Sequence, residues 1–234
     1  MFLCQNEHTK MLFLIFTISL VLFSKYGTTA DMADDKKIAL KLGAFSSNTL
    51  KGWEHKSFDG ETSYTLIADP TSGMKRTVLK ATSHATASGL FRKRRIDLEK
   101  TPWIHWSWKT KQLFSNIDEN EKHGDDFVAR LYIVLDGGIF FWNSRALNYV
   151  WSSSHQTGET WPNPYTSKAT MLAVESGASR LNQWQYYKHN VRKDFRQLIG
   201  KDIRYIDAIA IMTDSDNHGQ KATTYFGDIF FTAQ

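Results

Sequence analysis

The chain has 234 residues, of which 41% are hydrophobic and 23% charged, with a formal net charge of +5 at pH 7. This length fits one domain, or two small ones, and excludes a large multidomain assembly. The composition is that of a folded chain and excludes disorder and collagen, whereas eight tryptophans exceed what packing alone requires.

The first 30 residues have the pattern of a signal peptide. Lys10 gives a basic start, residues 11–23 form an apolar stretch, and residues 28–30 are small. We therefore expect cleavage after Ala30 and a periplasmic or secreted mature domain at 31–234. The apolar stretch is shorter than the roughly 20 residues of a membrane-spanning helix, so we expect no integral membrane span after cleavage. An uncleaved N-terminal anchor is the alternative.

From residue 38 onward, short segments alternate between apolar and polar residues and are separated by Gly, Asn, Asp and Ser. This period of two predicts β-strands. The predicted strands are 38–45, 62–68, 77–83, 89–97, 104–110, 126–135, 139–143, 147–151, 171–176, 205–213 and 223–232. One helix is predicted at 190–199, with Gly200 at its C-terminal end. The sequence therefore predicts an all-β fold, a two-sheet antiparallel jelly-roll β-sandwich with one short helix, in a single domain.

The predicted strand 126–135 carries a charged side chain among apolar ones. One face is apolar throughout and is expected to look into the core; it consists of Phe127, Ala129, Leu131, Ile133 and Leu135. Arg130 and Tyr132 lie on the opposite face. A desolvated arginine needs a carboxylate partner inside the protein or an anionic ligand, and the sequence leaves both open.

Four tryptophans are candidates for packing or for stacking on a ligand. Trp106 and Trp108 share one face of the predicted strand 104–110, where a place in the core is favoured and a sugar-stacking platform is the alternative. Trp151 ends a strand, and Trp161 lies in a loop beside prolines. A loop tryptophan in that setting is expected to be partly exposed, so both are candidate ligand-stacking residues.

Aspartates occur in two predicted loops. The first loop follows the strand 205–213, and its Asp214, Asp216 and Asn217 offer the oxygen ligands that Ca²⁺ prefers, so they are candidate metal ligands. A plain polar turn has the same composition and is the alternative. Asp125 and Asp126 form the second loop, directly before the Arg130 strand. Adjacent residues of an extended chain point to opposite sides, so these two cannot form one acid/base pair, but either can pair with an aspartate of the first loop.

Several segments resemble the domain of unknown function family 3047. They are residues 124–132, 146–152, 211–217, 88–90 and 106–109. The resemblance covers most of the predicted mature chain, and it implies an exported bacterial protein with a galactose-binding-like or carbohydrate-module-like sandwich. It implies no activity, because a fold does not determine function. The chain departs from the family pattern at His218, where threonine is expected.

These residues predict an exported module that binds carbohydrate or another cell-envelope ligand. The candidate ligand-binding residues are Asp125, Asp126, Arg130, Tyr132, Asn148, Trp151 and Trp161. The alternative is an enzyme acting on polysaccharide, a glycoside hydrolase or lyase, in which aspartates of the two loops act as acid and base while Arg130 holds an anionic group. A protein-interaction scaffold is a third class. We expect a polysaccharide or cell-envelope component as partner, calcium as the candidate cofactor, and no nucleic acid.

Overall fold

The computed structural model describes residues 40–69, 76–135 and 144–234, so the predicted signal peptide and the predicted strand 139–143 lie outside the described residues. The strands of this part are β1 Leu40–Gly43, β2 Glu54–Asp59, β3 Ser63–Ala68, β4 Thr77–His84, β5 Ala87–Asp97, β6 Trp103–Thr110, β7 Arg130–Leu135, β8 Arg145–Ser152, β9 Thr160–Asn163, β10 Thr166–Ser176, β11 Gln185–Asn190, β12 Tyr205–Met212, β13 Lys221–Phe226 and β14 Ile229–Thr232. None of the helices among these residues is long and apolar enough to cross a membrane.

The strands form two seven-stranded sheets. The first has the order β1-β14-β6-β13-β4-β3, with β11 also paired to β6, and the second has the order β2-β5-β12-β7-β8-β10-β9. Neighbouring strands in the described chain are antiparallel, except that β8 and β10 run parallel. The predicted all-β, two-sheet jelly-roll sandwich with one short helix is therefore confirmed, and its antiparallel character is corrected at this one pair.

The main core contains large aromatic side chains as well as aliphatic ones. Trp106 and Trp108 belong to it, and the Trp106 ring stacks on Tyr149 and Tyr187 at centroid distances of 5.1 and 4.9 Å. Burying each such side chain stabilises the fold by about 1.5–3 kcal/mol. The core interpretation of the 104–110 strand is thus confirmed.

Strand β7 begins at Arg130, four residues later than predicted. Leu131 and Ile133 face the main core, as expected, but Phe127 belongs to a separate apolar cluster with Trp161. The prediction for Phe127 is wrong because the two residues after it, Val128 and Ala129, both belong to the main core and interrupt the alternation.

The predicted helix is confirmed with one change of geometry. The Asn190 side chain accepts a 2.9 Å hydrogen bond from the Lys193 backbone N–H and caps the α-helical turn Val191–Asp194. The chain continues as a π-helical turn, Phe195–Ile199, and ends at Gly200 with φ of 70°. A positive φ favours glycine, which explains the predicted end point.

The predicted strand 223–232 is two strands, β13 and β14. Gly227 lies between them and donates a 2.9 Å backbone hydrogen bond to the Ser107 carbonyl. A Cβ at Gly227 would lie 2.2 Å from the Ser107 Oγ, so a larger residue there requires the serine hydroxyl to move. Both strands can therefore pair with the same strand, β6.

Candidate functional site

A cavity of about 450 Å³ lies on the face of the second sheet that points away from the main core. Tyr132 and Asn148 line it, whereas their strand neighbours Leu131 and Leu147 are core residues. The alternation along β7 and β8 therefore assigns one face to packing and the other to the cavity. The volume is within the usual range for small-molecule sites, about 300–1,000 Å³.

Strand register places the polar side chains of the cavity floor side by side. Tyr132 pairs with Asn148 across β7 and β8, and Arg130 pairs with Met212 across β7 and β12. The Tyr132 hydroxyl accepts a 3.1 Å hydrogen bond from Arg130 Nη1. The three predicted residues Arg130, Tyr132 and Asn148 thus lie together on the floor.

Arg130 is only 3% exposed and is paired inside the protein. Its Nε lies 3.1 Å from Asp214 Oδ1, and its Nη2 lies 2.7 Å from Asp214 Oδ2 and 3.2 Å from Asp125 Oδ1. Burial opposes the charge of the guanidinium, but the two carboxylates outweigh it, so the pKa of Arg130 lies well above its usual value. Of the two partners that the sequence left open, the structure shows the internal carboxylate.

Asp125 is held by a strand that the sequence did not predict. The side-chain amide of Asn163, the last residue of β9, donates hydrogen bonds of 2.9 and 3.0 Å to the two carboxylate oxygens of Asp125. Arg130 Nη2 also donates to the Asp125 backbone carbonyl. Both contacts fix the Asp125 carboxylate at the cavity wall.

Asp126 joins the two aspartate loops. Its carboxylate is buried and accepts hydrogen bonds from the backbone N–H groups of Asn217 and His218, at 3.1 and 2.7 Å. The two loops, whose meeting the sequence left open, are therefore in contact. The contact to His218 uses its backbone, so the departure from the family pattern at this residue leaves the contact intact.

The predicted metal ligands Asp214 and Asp216 lie close together, but most side-chain oxygens of the predicted ligands already accept hydrogen bonds from the protein. One carboxylate oxygen each of Asp126, Asp214 and Asp216 lie within 4.8 Å of one another. Asp214 is bound by Arg130, and the side-chain oxygen of Asn217 accepts a hydrogen bond from the Tyr165 hydroxyl. Calcium at Asp214, Asp216 and Asn217 stays a prediction, and an ion there has to share these oxygens with existing donors.

Asp216 differs from its neighbours because it faces the cavity with an unpaired charge. It lines the cavity, and no ion pair to it occurs among the described residues. Burial, and then repulsion by the Asp126 carboxylate, raise its pKa above the ordinary value. A cationic neighbour would therefore stabilise the ionised form of Asp216, which has no ion-pair partner among the described residues.

Trp151 and Trp161 do not line the cavity. Trp151 is fully buried in the main core, and its indole N–H donates a 3.1 Å hydrogen bond to the Gly177 carbonyl. Trp161 is 5% exposed and stacks on His155 with a centroid distance of 3.8 Å. The expected exposure of Trp161 is wrong because β9 pairs with β10 and presses the indole against the sheet. Both indoles pack the interior instead of forming a ligand platform.

Two aromatic side chains that sequence reasoning missed lie at the cavity instead. Phe58 is 55% exposed and comes from β2, and Tyr165 is 54% exposed and follows β9. An exposed aromatic ring offers a flat apolar face to a ligand. The surplus of aromatic residues indicated such rings, but neither strand was predicted, so their position was not found.

Asn148 has an acceptor that no described residue satisfies. Its side chain is 1% exposed and lines the cavity, and its amide nitrogen contacts the sulfur of Met171 at 3.3 Å. Its amide oxygen is buried and has no hydrogen-bond partner among the described residues. An unsatisfied buried acceptor costs about 1–3 kcal/mol, which a donor from a ligand can recover.

The chain thus combines a β-sandwich with a cavity on one outer face, whose floor is polar and whose rim carries exposed aromatic rings. The chain is a member of the family described as protein of unknown function (DUF3047), whose model matches residues 51–230. The resemblance noted from the sequence is therefore confirmed. No curated protein matches the sequence.

Among solved structures, three illustrate the range of similarity. The family 30 carbohydrate-binding module of a Clostridium thermocellum cellulosomal cellulase has 13% identity and a TM-score of 0.43, covering 84% of this chain and 98% of that one. The Caldicellulosiruptor saccharolyticus module CBM27-1 with mannohexaose has 10% identity and a TM-score of 0.45, covering 84% and 97%. The Endo-D glycoside hydrolase domain of Streptococcus pneumoniae has 7% identity and a TM-score of 0.39, covering 78% of this chain and 22% of that one. These likenesses identify no binding residue here.

Proposed function

We propose that this protein is an exported module that binds a saccharide of a polysaccharide or of the cell envelope in the cavity on the second sheet. The observation that carries the proposal is the combination of a buried polar floor, at Arg130, Tyr132 and Asn148, with exposed rings at Phe58 and Tyr165. Saccharides present hydroxyl groups at their edges and apolar C–H faces, so they match both parts of such a site.

The floor is held in place before any ligand binds. Arg130 is fixed by Asp125 and Asp214, and Asp125 is fixed in turn by Asn163. A rigid polar floor lowers the entropy cost of binding, because few side chains have to be ordered by the ligand. This organisation supports binding as the role of the site.

Export is part of the proposal and rests on the signal-peptide pattern of residues 1–30. Edman sequencing or intact-mass analysis of the protein secreted by a bacterial host tests it. Cleavage after Ala30 is the expected result, and a full-length protein retained in the cell contradicts it.

The proposed function is tested by incubating the purified protein with a panel of plant and envelope polysaccharides and running each mixture on a sizing column. We expect co-elution of the protein with at least one polymer of unchanged length. A Phe58→Ala, Tyr165→Ala double variant should lose co-elution. Tyr186→Ala serves as the matched control, because Tyr186 is also a largely exposed ring but does not line this cavity. Co-elution that survives in the double variant overturns the assignment of the cavity.

The enzymatic alternative uses the same aspartates and the same experiment. Burial raises the pKa of Asp214 against the opposing effect of Arg130, but the guanidinium occupies both of its carboxylate oxygens, so Asp214 has no free oxygen to offer a substrate as a general acid. Asp216, with its raised pKa, is the aspartate of this loop that fits that role. A shortened polymer on the sizing column favours the enzyme, and loss of shortening in Asp216→Asn assigns the residue.

A further inference from the structure

The cavity is acidic although the chain as a whole is basic. Among the described residues, four aspartates line it, and Arg130 is the one arginine or lysine that does so. The aspartates are Asp59, Asp125, Asp214 and Asp216. The net charge of the whole chain is +5. Negative charge is therefore concentrated at this cavity against the overall balance.

Arg130 neutralises only part of that charge. Asp125 and Asp214 both contact its guanidinium, at 3.2 and 2.7 Å. Asp59 and Asp216 have no ion pair among the described residues. An anionic ligand would meet these two carboxylates, while Arg130, the cation of the floor, is already paired. The charge distribution thus disfavours an acidic sugar and favours a cation.

A second and independent feature points to a ligand that donates hydrogen bonds. Asn148 lines the cavity, and its amide oxygen is buried and has no hydrogen-bond partner among the residues described. Carboxylates and this amide oxygen are all acceptors. A protonated amine matches them, because it carries three donors and no acceptor.

The rings at the cavity already interact with ammonium groups. Lys56 Nζ lies 5.0 Å from the centroid of the Phe58 ring, and Lys122 Nζ lies 5.4 Å from that of Tyr165. Cations are attracted to aromatic faces at such distances. The two rim rings therefore already have cationic neighbours, so the carboxylates of Asp59 and Asp216 are the groups that remain to receive a positively charged ligand.

We propose that the saccharide bound in this cavity carries a free, protonated amine, as an unacetylated glucosamine unit does. The inference rests on the proposed function and specifies its ligand class. The ammonium group pairs with Asp216 and donates to Asn148 Oδ1, while the ring of the sugar lies against an aromatic side chain of the rim. An N-acetylated unit loses the charge and brings its own carbonyl acceptor towards the carboxylates, so it is disfavoured.

The test uses three β-1,4-linked tetramers that differ only at the 2-position of each sugar: glucosamine, N-acetylglucosamine and glucose. Each is titrated calorimetrically into the full mature chain at about pH 6 in EDTA, which keeps divalent ions off the carboxylates. We expect the glucosamine tetramer to bind at least about tenfold more tightly than the other two, with an advantage that shrinks at high salt.

Two variants locate the effect. Asp216→Asn should reduce the advantage of the glucosamine tetramer over the glucose tetramer about fivefold or more. Asp202→Asn removes the same charge from the exposed Arg192 pair, away from the cavity, and should change neither affinity. Asn148→Leu should weaken the glucosamine tetramer while circular dichroism shows the fold retained.

The inference and the proposed function fail separately. Equal binding of the three tetramers, or no binding of the glucosamine tetramer, overturns the amine inference. The polysaccharide panel on the sizing column decides the proposed function, whichever tetramer binds. An advantage of glucosamine that persists unchanged in Asp216→Asn shows that the amine is held elsewhere and also overturns the inference.

Discussion

On the floor of the cavity, two nitrogens of the Arg130 guanidinium donate hydrogen bonds of 3.1 and 2.7 Å to the two carboxylate oxygens of Asp214. Arg192 and Asp202 make the same kind of two-point contact at 2.7 and 3.1 Å. The first pair has side-chain exposures of 4% and 3%, and the second has 27% and 47%. The same type of arginine–aspartate contact therefore occurs twice, once buried and once exposed to solvent.

The buried pair should dominate stability. Asp214→Asn leaves Arg130, whose side chain is 4% exposed, with one carboxylate, and we expect the free energy of unfolding to fall by about 3 kcal/mol. Urea unfolding measures it. Asp202→Asn is the control, and its melting temperature should stay close to that of the parent chain, because solvent screens the exposed charge. An equal drop in melting temperature in the two variants would contradict the importance of burial.

Asp216 should cost the protein stability at neutral pH. Its pKa is raised in the folded state, so the folded protein binds this proton more tightly than the unfolded chain does. The cost is present at pH values above the raised pKa and disappears as the pH falls through the ordinary aspartate range. Asp216→Asn should therefore raise the melting temperature at pH 7 by about 1–3 °C. Thermal melts at pH 7 and at about pH 4 check the sign; a gain as large at the lower pH would contradict it.

Trp151 should be a folding residue and not a binding residue. Replacing it by alanine removes a fully buried indole, and the expected loss is about 3–5 kcal/mol. Trp151→Phe retains an aromatic ring and should lose less. Denaturant unfolding gives both values, and affinity for the identified polymer should be unchanged in the phenylalanine variant. A binding defect in a fully folded Trp151→Phe would restore the ligand role that the sequence suggested.

The calcium prediction has a direct thermal test. If Asp214, Asp216 and Asn217 bind Ca²⁺, millimolar calcium should raise the melting temperature, because an ion bound only by the folded chain stabilises it. Saturation at 100 times the dissociation constant corresponds to about 2.7 kcal/mol. Asp216→Asn should abolish the shift, and magnesium serves as the control ion. Identical melts in calcium and in EDTA would end the prediction.

Strand alternation predicted the fold and half of the cavity. Arg130, Tyr132 and Asn148 lie on strands whose other face is apolar, so their common outward direction follows from the period of two. Nothing in the sequence required the two loops to meet at Asp126 and Asn217; they meet because they adjoin β7 and β12, which pair directly with each other. Local pattern was sufficient wherever one face of a strand is buried.

The cavity residues that the sequence did not predict belong to parts of the sheet without that alternating pattern. All six residues of β2 are exposed, so nothing in Glu54–Asp59 marks a buried face, and yet this strand supplies Phe58. Strand β9 contains Pro162, which indicates a loop unless the strand is at the edge of a sheet, as β9 is. Edge strands owe their structure to a neighbour distant in sequence, and one sequence does not reveal that neighbour.

The alternation along the strands also separates the residues that line the cavity from the residues that pack the core. Tyr132 and Asn148 face the cavity, and the adjacent Leu131 and Leu147 hold the core, so a substitution at one pair leaves the other in place. The outward positions of β7 and β8 can therefore be substituted without changing the side chains that pack the core. A change of ligand preference can arise by point substitution on this face, without the scaffold having to be built anew.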